Sequence, residues 1–285
     1  MKLGYHKKEF IAKMIKTIIF FVIGLAFLLP LFWMIGTSLK TTAETLDGGF
    51  TLIPRNPQWQ NYIDVWMGTA DSKVITMMTG YKNSVQIILW SIPVSLVFSS
   101  LAAYAFAKIK FKGSGLIFLL FLSTMMIPGE VTLIPKYIIY SKVGLNNTLW
   151  SIILPHWFAP SAIFLLRQFY MGLPNDLMEA AKIDGAGHPR IFTQIMLPLT
   201  KSALVSQTVL TFVSVWNEYL TALIFLTKDK LTTVSLAVRY TLQSESQRTE
   251  LAMASATSAI VPTLIIFTAC QSVFIEGIAT SGVKG

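Results

Sequence analysis

The stretch of sequence that decides the fold is EAAKIDGAGHPRIFTQIMLP, from Glu179 to Pro198, a short polar segment between two long apolar ones. Its turn residues predict two short helices. Asp176 and Glu179 have the spacing of a capping box, in which side chains satisfy the free backbone donors at a helix start. The pair Asp184-Gly185 predicts the end of that helix, because glycine adopts a left-handed conformation without Cβ strain.

The second short helix is predicted to follow directly. Pro189 suits a first helical turn, where a missing backbone N–H does no harm. Ile191, Phe192 and Ile195 then share one helical face, and Pro198 is expected to end the helix. Because an apolar chain has little reason to keep such an element in water, we expect this elbow, residues 174–198, to dock another protein.

The composition indicates a membrane protein, because 53% of the 285 residues are hydrophobic and only 13% are charged. Segments of about 20 apolar residues span a hydrocarbon core of about 30 Å as helices, the form in which lipid leaves no backbone group unpaired. The expected fold class is therefore all-α, a polytopic membrane protein with six transmembrane helices. The predicted spans are 17–37, 84–107, 115–136, 149–168, 203–226 and 252–275.

The basic residues predict the orientation. Lys108, Lys110 and Lys112 crowd one short turn, so the positive-inside rule places that turn, the elbow and both termini in the cytoplasm. Basic residues at membrane edges exclude nucleic acid as a partner. The expected layout is a cytoplasmic N-terminal segment 1–16, a first, uncleaved transmembrane helix 17–37, an extracytoplasmic loop 38–82, a core domain 83–276 with five spans, and a cytoplasmic tail 277–285.

A polar stripe is predicted in the fifth span, where Gln207, Thr211, Ser214, Glu218 and Thr221 follow one another three or four residues apart. Asn217 flanks it. The stripe either lines a path for a hydroxyl-rich solute or bonds neighbouring helices together. For Asn217 and Glu218 the path is favoured, since a charged group at mid-membrane costs about 2.5–3.5 kcal/mol.

Aromatic residues allow two interpretations each. Gln86 and Trp90 lie near the outer end of the second span, where the indole either stacks on a sugar or sits at the membrane interface. Trp59, Tyr62 and Trp66 share one face of a short helix in the 38–82 loop. That face is either an interfacial aromatic belt or a contact for an external partner. The last outer loop, 227–251, is expected to be polar and solvated.

The motifs that the sequence lacks are also informative. It has no G-x-x-x-x-G-K-[ST] phosphate loop, no His/Cys cluster at metal-ligand spacing and no nucleophile elbow. We therefore expect no catalytic residue, no metal and no cofactor in this chain, and an energy source outside it.

The elbow resembles the EAA loop of ABC-importer permeases, whose pattern is E-A-A-x-x-D-G-A, five residues, then F-x-x-I-x-L-P. The fixed positions are filled by Glu179, Ala180, Ala181, Asp184, Gly185, Ala186, Phe192, Ile195, Leu197 and Pro198. Three other segments are similar to carbohydrate permeases of the maltose-transporter type, closest to the smaller permease subunit. These are IPGEVTLIP at 127–135, Trp216-Asn217-Glu218-Tyr219 and the tail Ser281-Gly282-Val283-Lys284-Gly285.

The resemblance implies the transmembrane domain of a type I ABC importer in a bacterial cell membrane, a transport subunit and not an enzyme. It implies a second homologous permease, two cytoplasmic subunits that bind ATP and Mg, and an extracytoplasmic sugar-binding protein. The ATPase-docking residues would be Glu179, Ala180, Ala181, Asp184, Gly185, Ala186, Gly187 and Phe192. The 281–285 tail would reach the ATPase dimer, the 227–251 loop would enter the cleft of the binding protein, and the larger permease would make most sugar contacts.

Three alternatives remain open. An ABC permease for another solute, such as a polyol phosphate or an amino acid, would share the same elbow. A self-powered secondary carrier would show inverted repeats and midplane ionisable residues, which are not evident here. A membrane scaffold would leave the polar stripe without a role.

Overall fold

The computed structural model describes the backbone of residues 2–47, 51–68, 75–244 and 248–282, and their side chains except those of 2–9, 12, 244 and 272–282. Within these ranges every regular element is helical and no strand occurs, which confirms the all-α class. The α-helices are α1 Lys2–Ser38, α2 Thr42–Leu46, α3 Gln60–Met67, α4 Met77–Lys108, α5 Ser114–Ser123, α6 Leu133–Lys142, α7 Trp150–Trp157, α8 Pro160–Gly172, α9 Asp176–Ile183, α10 His188–Ile191, α11 Leu197–Leu199, α12 Lys201–Trp216, α13 Leu220–Phe225, α14 Val234–Ser244 and α15 Thr249–Gly282. Short 3-10 turns lie at Thr124–Met126, Gly129–Thr132 and Asp229–Leu231, and a π-helix at Phe192–Met196.

Three helices are continuous, apolar and long enough to cross a membrane. They are the Lys13–Ser38 part of α1, the whole of α4, and the Thr249–Gln271 part of α15. They correspond to the predicted first, second and sixth spans. Pro30, Pro93 and Pro262 lie inside these helices without breaking them.

The predicted third and fifth spans are not straight helices. Ser114–Met126 and Gly129–Lys142 meet at an angle of 92°, and Pro128 lies at the break. Proline removes a backbone donor and forces the preceding residue away from helical geometry, which explains a turn at this point. In the fifth span, α12 ends at Trp216 and a separate helix, α13, begins at Leu220.

The predicted fourth span is also interrupted. Phe158 and Ala159 separate α7 from α8, and Pro160 occupies the first turn of α8. By length and composition, the described residues hold three membrane-length helices, or up to five if each of two bent pairs counts as one span. The six-span count therefore stays a prediction.

The chain divides into two compact units, residues 1–76 with 238–258, and residues 77–237 with 259–285. In the first unit, the buried Asn61 side chain on α3 donates to the carbonyls of Ser38 and Lys40, each at 2.9 Å. The Tyr62 hydroxyl lies 2.7 Å from the Ser38 hydroxyl, and the Trp66 indole N–H donates to Ser258. The predicted aromatic helix is therefore present, but two of its three rings are held inside the unit.

Trp59 differs from its two neighbours, because it is 67% exposed. It lies at the N-terminal boundary of α3, 6.4 Å from the Tyr62 ring. Of the three aromatic residues, Trp59 is thus the one available to lipid or to an external partner.

The expectation of a solvated loop over 227–251 is wrong for much of its length. Helix α14 lies within it, and Val234, Leu236 and Ala237 are buried. Glu250 is only 1% exposed, and its carboxylate accepts from the Thr42 and Thr45 hydroxyls and pairs with Arg248 at 3.2 Å. The Glu250 carboxylate is buried with both of its oxygens hydrogen-bonded, as buried polar groups generally are.

We expect Glu250→Ala to lower the free energy of unfolding by about 2–4 kcal/mol, because it removes a buried carboxylate that accepts from two threonine hydroxyls and pairs with Arg248. Thermal unfolding of the purified chain in detergent measures this. Glu44→Ala is the matched control, since the half-buried Glu44 carboxylate accepts from the Arg55 backbone N–H, a single neutral donor among the described residues, and should contribute well under 1 kcal/mol. Equal losses from the two variants would contradict the prediction.

In the second unit, the apolar core joins α4 and α8 to the elbow. Tyr104 of α4 lies edge-on to Tyr170 of α8 at 6.0 Å and against Phe192 of the elbow at 5.2 Å. Leu166, Ile191 and Met196 are completely buried in the same cluster. The elbow is therefore packed on the helices and has a fixed position on this unit.

Candidate functional site

The first helix of the elbow, α9, has one buried and one exposed face. Met178 and Ala181 are 6% and 8% exposed and pack into the core. On the other side, Ile183 is 87% exposed and Leu177 is 42% exposed. An isoleucine left almost wholly in water loses about 1.5–3 kcal/mol of the burial free energy it could gain, so this face is suited to a partner.

The C-terminal end of α9 is a Schellman turn centred on Gly185. The Gly185 N–H donates to the carbonyl of Lys182 at 3.0 Å, and the Ala186 N–H donates to that of Ala181 at 2.9 Å. Gly185 has φ = 80°, the left-handed conformation that this motif requires. The predicted glycine stop is confirmed.

The N-terminal end of α9 differs from the prediction. The capping residue is Asn175, not Asp176, and no side chain caps the helix, so the expected capping box is wrong. The Asn175 side chain is engaged elsewhere: its carbonyl oxygen accepts from the Lys108 ammonium at 2.7 Å. The same ammonium donates to the Leu173 carbonyl at 2.7 Å, so Lys108 ties the end of α4 to the start of the elbow.

We expect Lys108→Met to loosen the elbow, because hydrogen bonds from a charged donor contribute about 1.5–3 kcal/mol each and Lys108 is 9% exposed. Amide hydrogen exchange over 174–187 should accelerate about tenfold or more, which corresponds to a loss of about 1.4 kcal/mol in local stability. The control is Lys142→Met, since Lys142 is exposed on α6, away from the elbow, and should leave the exchange unchanged. Unchanged exchange in Lys108→Met would contradict this role.

The second half of the elbow is anchored by buried residues. Pro189 lies in the first turn of α10, as predicted. Pro198, expected to end the helix, instead lies in the first turn of α11, where its missing N–H is tolerated, and the chain turns by 76° around Thr200. The His188 ring nitrogen Nδ1 lies 2.9 Å from the Tyr104 hydroxyl, which adds a polar tie to α4.

The predicted docking residues separate into two groups. Ala181 and Phe192, both 8% exposed, belong to the anchored side and position the elbow. The other predicted residues lie on the outer side of the elbow, where most are exposed and Ala186 is half-buried. The exposed members are Glu179, Ala180, Asp184, Gly185 and Gly187.

The predicted tail falls mostly outside the described residues. Val283, Lys284 and Gly285 lie beyond them, and only the backbone of Ser281 and Gly282 is described, at the end of α15.

Part of the polar stripe lines a cavity of about 270 Å³. Gln207 and Thr211 are buried, and the Gln207 amide donates to the Thr211 hydroxyl at 2.9 Å. Ser214 is exposed in the same wall. His156 and Ser161 complete the polar lining, and the His156 ring nitrogen lies 2.8 Å from the Ile152 carbonyl, as expected for a hydrogen-bonded histidine.

The rest of the stripe lies beyond the end of α12, so the prediction of one helical face through Thr221 is wrong. Asn217 is exposed at the helix end, and its side chain donates to the Val213 carbonyl. The Glu218 carboxylate accepts from the Thr221 backbone N–H at 3.0 Å, where α13 begins. The Glu218 carboxylate therefore satisfies a backbone N–H that the break in the chain leaves free, next to Tyr219 at the N-terminal boundary of α13.

Gln86 and Trp90 do not join this cavity. Gln86 is exposed on α4, and Trp90 lies 5.9 Å from the Trp150 ring, while the Trp157 indole N–H donates to the Trp90 carbonyl. Trp90 itself is 53% exposed, which suits an interfacial tryptophan.

The fold and the site define a multi-pass helical membrane protein with a polar elbow held on its second unit. Residues 87–279 match the family described as the inner membrane component of binding-protein-dependent transport systems. The chain therefore belongs to that family, and it is the membrane-spanning permease subunit of such a system.

Relatives and solved structures agree with this assignment. The chain is 35% identical over 270 residues to the arabinooligosaccharides transport system permease protein AraQ of Halalkalibacterium halodurans, covering 92% of this chain and 95% of the relative. It is 30% identical over 263 residues to the sn-glycerol-3-phosphate transport system permease protein UgpE of Pectobacterium atrosepticum, covering 90% and 92%. A bacterial ABC transporter involved in alginate import has the same fold, with a TM-score of 0.77 at 22% identity over 92% of this chain and 96% of that one.

Proposed function

We propose that this chain forms one half of the membrane pore of an ATP-driven importer for a sugar or oligosaccharide. Its partners would be a second permease, two cytoplasmic ATP-binding subunits and an extracytoplasmic sugar-binding protein. The names of the relatives support a carbohydrate, since one transports arabinooligosaccharides and a structural neighbour was solved with an alginate pentasaccharide-bound periplasmic protein. ATP and Mg would be bound by the partner subunits, and both termini and the elbow would face the cytoplasm.

The observation that carries the proposal is the exposed face of α9. Ile183 and Leu177 point away from the core, while Met178 and Ala181 fix the helix from behind. One face of α9 is packed against the core and the other is apolar and exposed. A partner that binds the exposed face can therefore transmit its movement, because α9 cannot change position on α4 and α8 without moving them. Closure of the ATP-binding subunits would shift the elbow and bias the pore from inward- to outward-facing.

The cavity at Gln207 supports a contribution to the solute path. Hydroxyl and amide groups converge there with an apolar wall, a combination that suits a sugar ring. Ser214 supplies the exposed hydroxyl, and His156 a ring that can donate or accept. On the outer side, Thr227, Lys228, Asp229 and Lys230 are exposed and would be the part of the 227–251 segment that meets the binding protein.

Disulfide or maleimide crosslinking tests the docking. In a Cys270→Ser background, Ala180→Cys should crosslink to an ATP-binding subunit in native membranes, because Ala180 is exposed on α9. Asp229→Cys is the matched control, since it is exposed in the segment expected on the opposite side of the membrane. Crosslinking from Asp229→Cys, or none from Ala180→Cys, would overturn the proposal.

The solute is tested separately through the cognate binding protein. Calorimetry should yield binding of a sugar or oligosaccharide, and uptake of the same sugar should require this chain. Binding of glycerol phosphate instead would favour the alternative of a polyol-phosphate importer, a solute class that one relative carries at 30% identity.

A further inference from the structure

A second cavity lies between the 109–113 turn and α9, and Ile183 is not among the residues that line it. Its volume is about 780 Å³, and its walls combine basic and polar side chains. The charged lining consists of Lys108, Lys110, Lys112, Lys182 and the single carboxylate Glu179. Nothing in the docking role of α9 requires this accumulation of positive charge.

The positive charge is not neutralised inside the described part of the chain. Lys108 donates to two neutral acceptors, the Leu173 carbonyl and the Asn175 amide. Lys110, Lys112 and Lys182 are exposed, and among the described residues none of them lies in an ion pair. Four lysines and one carboxylate around a concave surface create a strong local field for an anion.

The cavity is also bordered by apolar surface that continues into a membrane-length helix pair. Phe106, Ile109 and Phe111 line its edge, and Phe111 is 39% exposed. Directly beyond Ser114, the α5 residues Leu116 and Ile117 are 63% and 50% exposed. The cavity lies where α4 ends at Lys108 and α5 begins at Ser114, so it is at the membrane edge.

From this geometry we infer that the cavity binds the phosphodiester headgroup of an anionic phospholipid, with its acyl chains along the exposed side of α5. Lys110, Lys112 and Lys182 contact the phosphate, and Lys108 adds charge from behind while it holds the elbow. Basic cavities at the ends of transmembrane helices are known to suit such headgroups. A soluble anion or an acidic peptide would use the lysines but leave the adjoining apolar strip uncovered.

The site would make the stability of the elbow depend on lipid. A bound headgroup bridges the 109–113 turn to α9, so it adds to the tie that Lys108 provides. This inference goes beyond the transport role and does not require it, because lipid binding is measured without uptake.

Native mass spectrometry of the delipidated full-length chain, titrated with phosphatidylglycerol or phosphatidylcholine, tests the site. We expect one phosphatidylglycerol bound per chain in preference to phosphatidylcholine. The triple variant Lys110→Gln, Lys112→Gln, Lys182→Gln should weaken this binding by about a hundredfold, because each lysine facing an anionic lipid contributes about fivefold. The effect should shrink in about 1 M salt, where the screening length is about 3 Å.

Matched controls keep the test specific. The control is a second triple variant that removes the same charge from exposed lysines elsewhere in the unit: Lys82→Gln, Lys142→Gln and Lys201→Gln. It should change phosphatidylglycerol binding less than about twofold. Arginine at all three cavity positions should restore binding, which excludes misfolding as the cause.

Several outcomes would overturn the inference. Equal binding of phosphatidylglycerol and phosphatidylcholine would show that the cavity does not select an anionic headgroup. Unchanged phosphatidylglycerol binding by the triple variant would show that these lysines do not bind it. Displacement of the lipid by millimolar glycerol phosphate would assign the cavity to a soluble anion. Loss of the ATP-binding subunit from the triple variant, with phosphatidylglycerol binding intact, would assign the lysines to carboxylates of that partner.

Discussion

Gly185→Val should abolish ATP-coupled uptake and leave membrane insertion intact. The glycine has φ = 80°, a left-handed conformation that costs an ordinary L-residue about 1–2 kcal/mol and a β-branched one more. Apart from its two chain neighbours, no described residue has an atom within 4 Å of a Cβ built at this position, so the effect is on the backbone and on the partner's approach. We expect uptake to fall at least about tenfold, because valine destabilises the left-handed conformation in which the Schellman bonds that end α9 form.

Gly172→Val is the matched control for this variant. Gly172 is exposed at the C-terminal end of α8, outside the elbow, and lacks the positive φ of Gly185. Apart from its chain neighbours and the backbone of its own helix, no described residue has an atom within 4 Å of a Cβ built there. Uptake by the control should therefore stay within about twofold of the wild type.

Gly185→Asn separates two causes, because asparagine tolerates the left-handed conformation. Retained uptake would assign the valine defect to backbone strain, whereas lost uptake would assign it to close approach of the partner. Transport by Gly185→Val at the wild-type rate, measured with radiolabelled sugar in proteoliposomes, would contradict both.

The residues that could be predicted from the sequence are those whose roles are local. Gly185 and Pro189 mark a helix end and a helix start because of their own backbone chemistry, so neighbouring residues suffice. The capping box failed for a non-local reason. Asn175 is held by Lys108, which lies 67 positions away in the chain, and a spacing rule contains no information about that contact.

The breaks in the predicted spans were missed because an apolar run looks the same whether its helix is straight or bent. The 207–221 stripe was predicted to continue through Glu218, but α12 ends at Trp216, whose indole N–H donates to the Ala259 carbonyl. The Glu218 carboxylate then accepts from the Thr221 backbone N–H in the first turn of α13. The sequence carried one usable signal, since an ionisable residue within an apolar run is costly in lipid and therefore needs a partner or a solvated position.

The docking motif contains both buried and exposed residues, a difference that the sequence pattern did not predict. Ala180 and Ala181 are adjacent and identical, yet one is exposed and the other is 8% exposed. Ile183 was not among the predicted docking residues, although it is the most exposed apolar side chain of α9. Helical periodicity alone could have found it, because Met178 and Ala181 lie three apart on the buried face and Ile183 falls outside that stripe.

Ile183→Asp should abolish assembly with the ATP-binding subunit. Transfer of an exposed isoleucine into an apolar cleft is worth about 1.5–3 kcal/mol, and the substituted carboxylate would have to be desolvated there. We expect affinity to fall by about a hundredfold or more, measured by co-purification and by the rate of ATP hydrolysis in the assembled complex. The fold of this chain should be unaffected, because Ile183 is 87% exposed and makes no core contact.

Leu46→Asp is the matched control, an exposed apolar residue near the end of a short helix in the first unit, at 69% exposure. It should leave the ATP-binding subunit attached, whereas Ile183→Leu should restore what Ile183→Asp loses, since a volume-conserving change keeps the contact. Full assembly of Ile183→Asp would mean that α9 is held by its polar residues alone. Gly185→Val changes the shape of the elbow, so it should lose uptake while the ATP-binding subunit stays bound. Ile183→Asp removes the apolar contact, so it should lose the ATP-binding subunit itself. These two outcomes together would separate force transmission from binding.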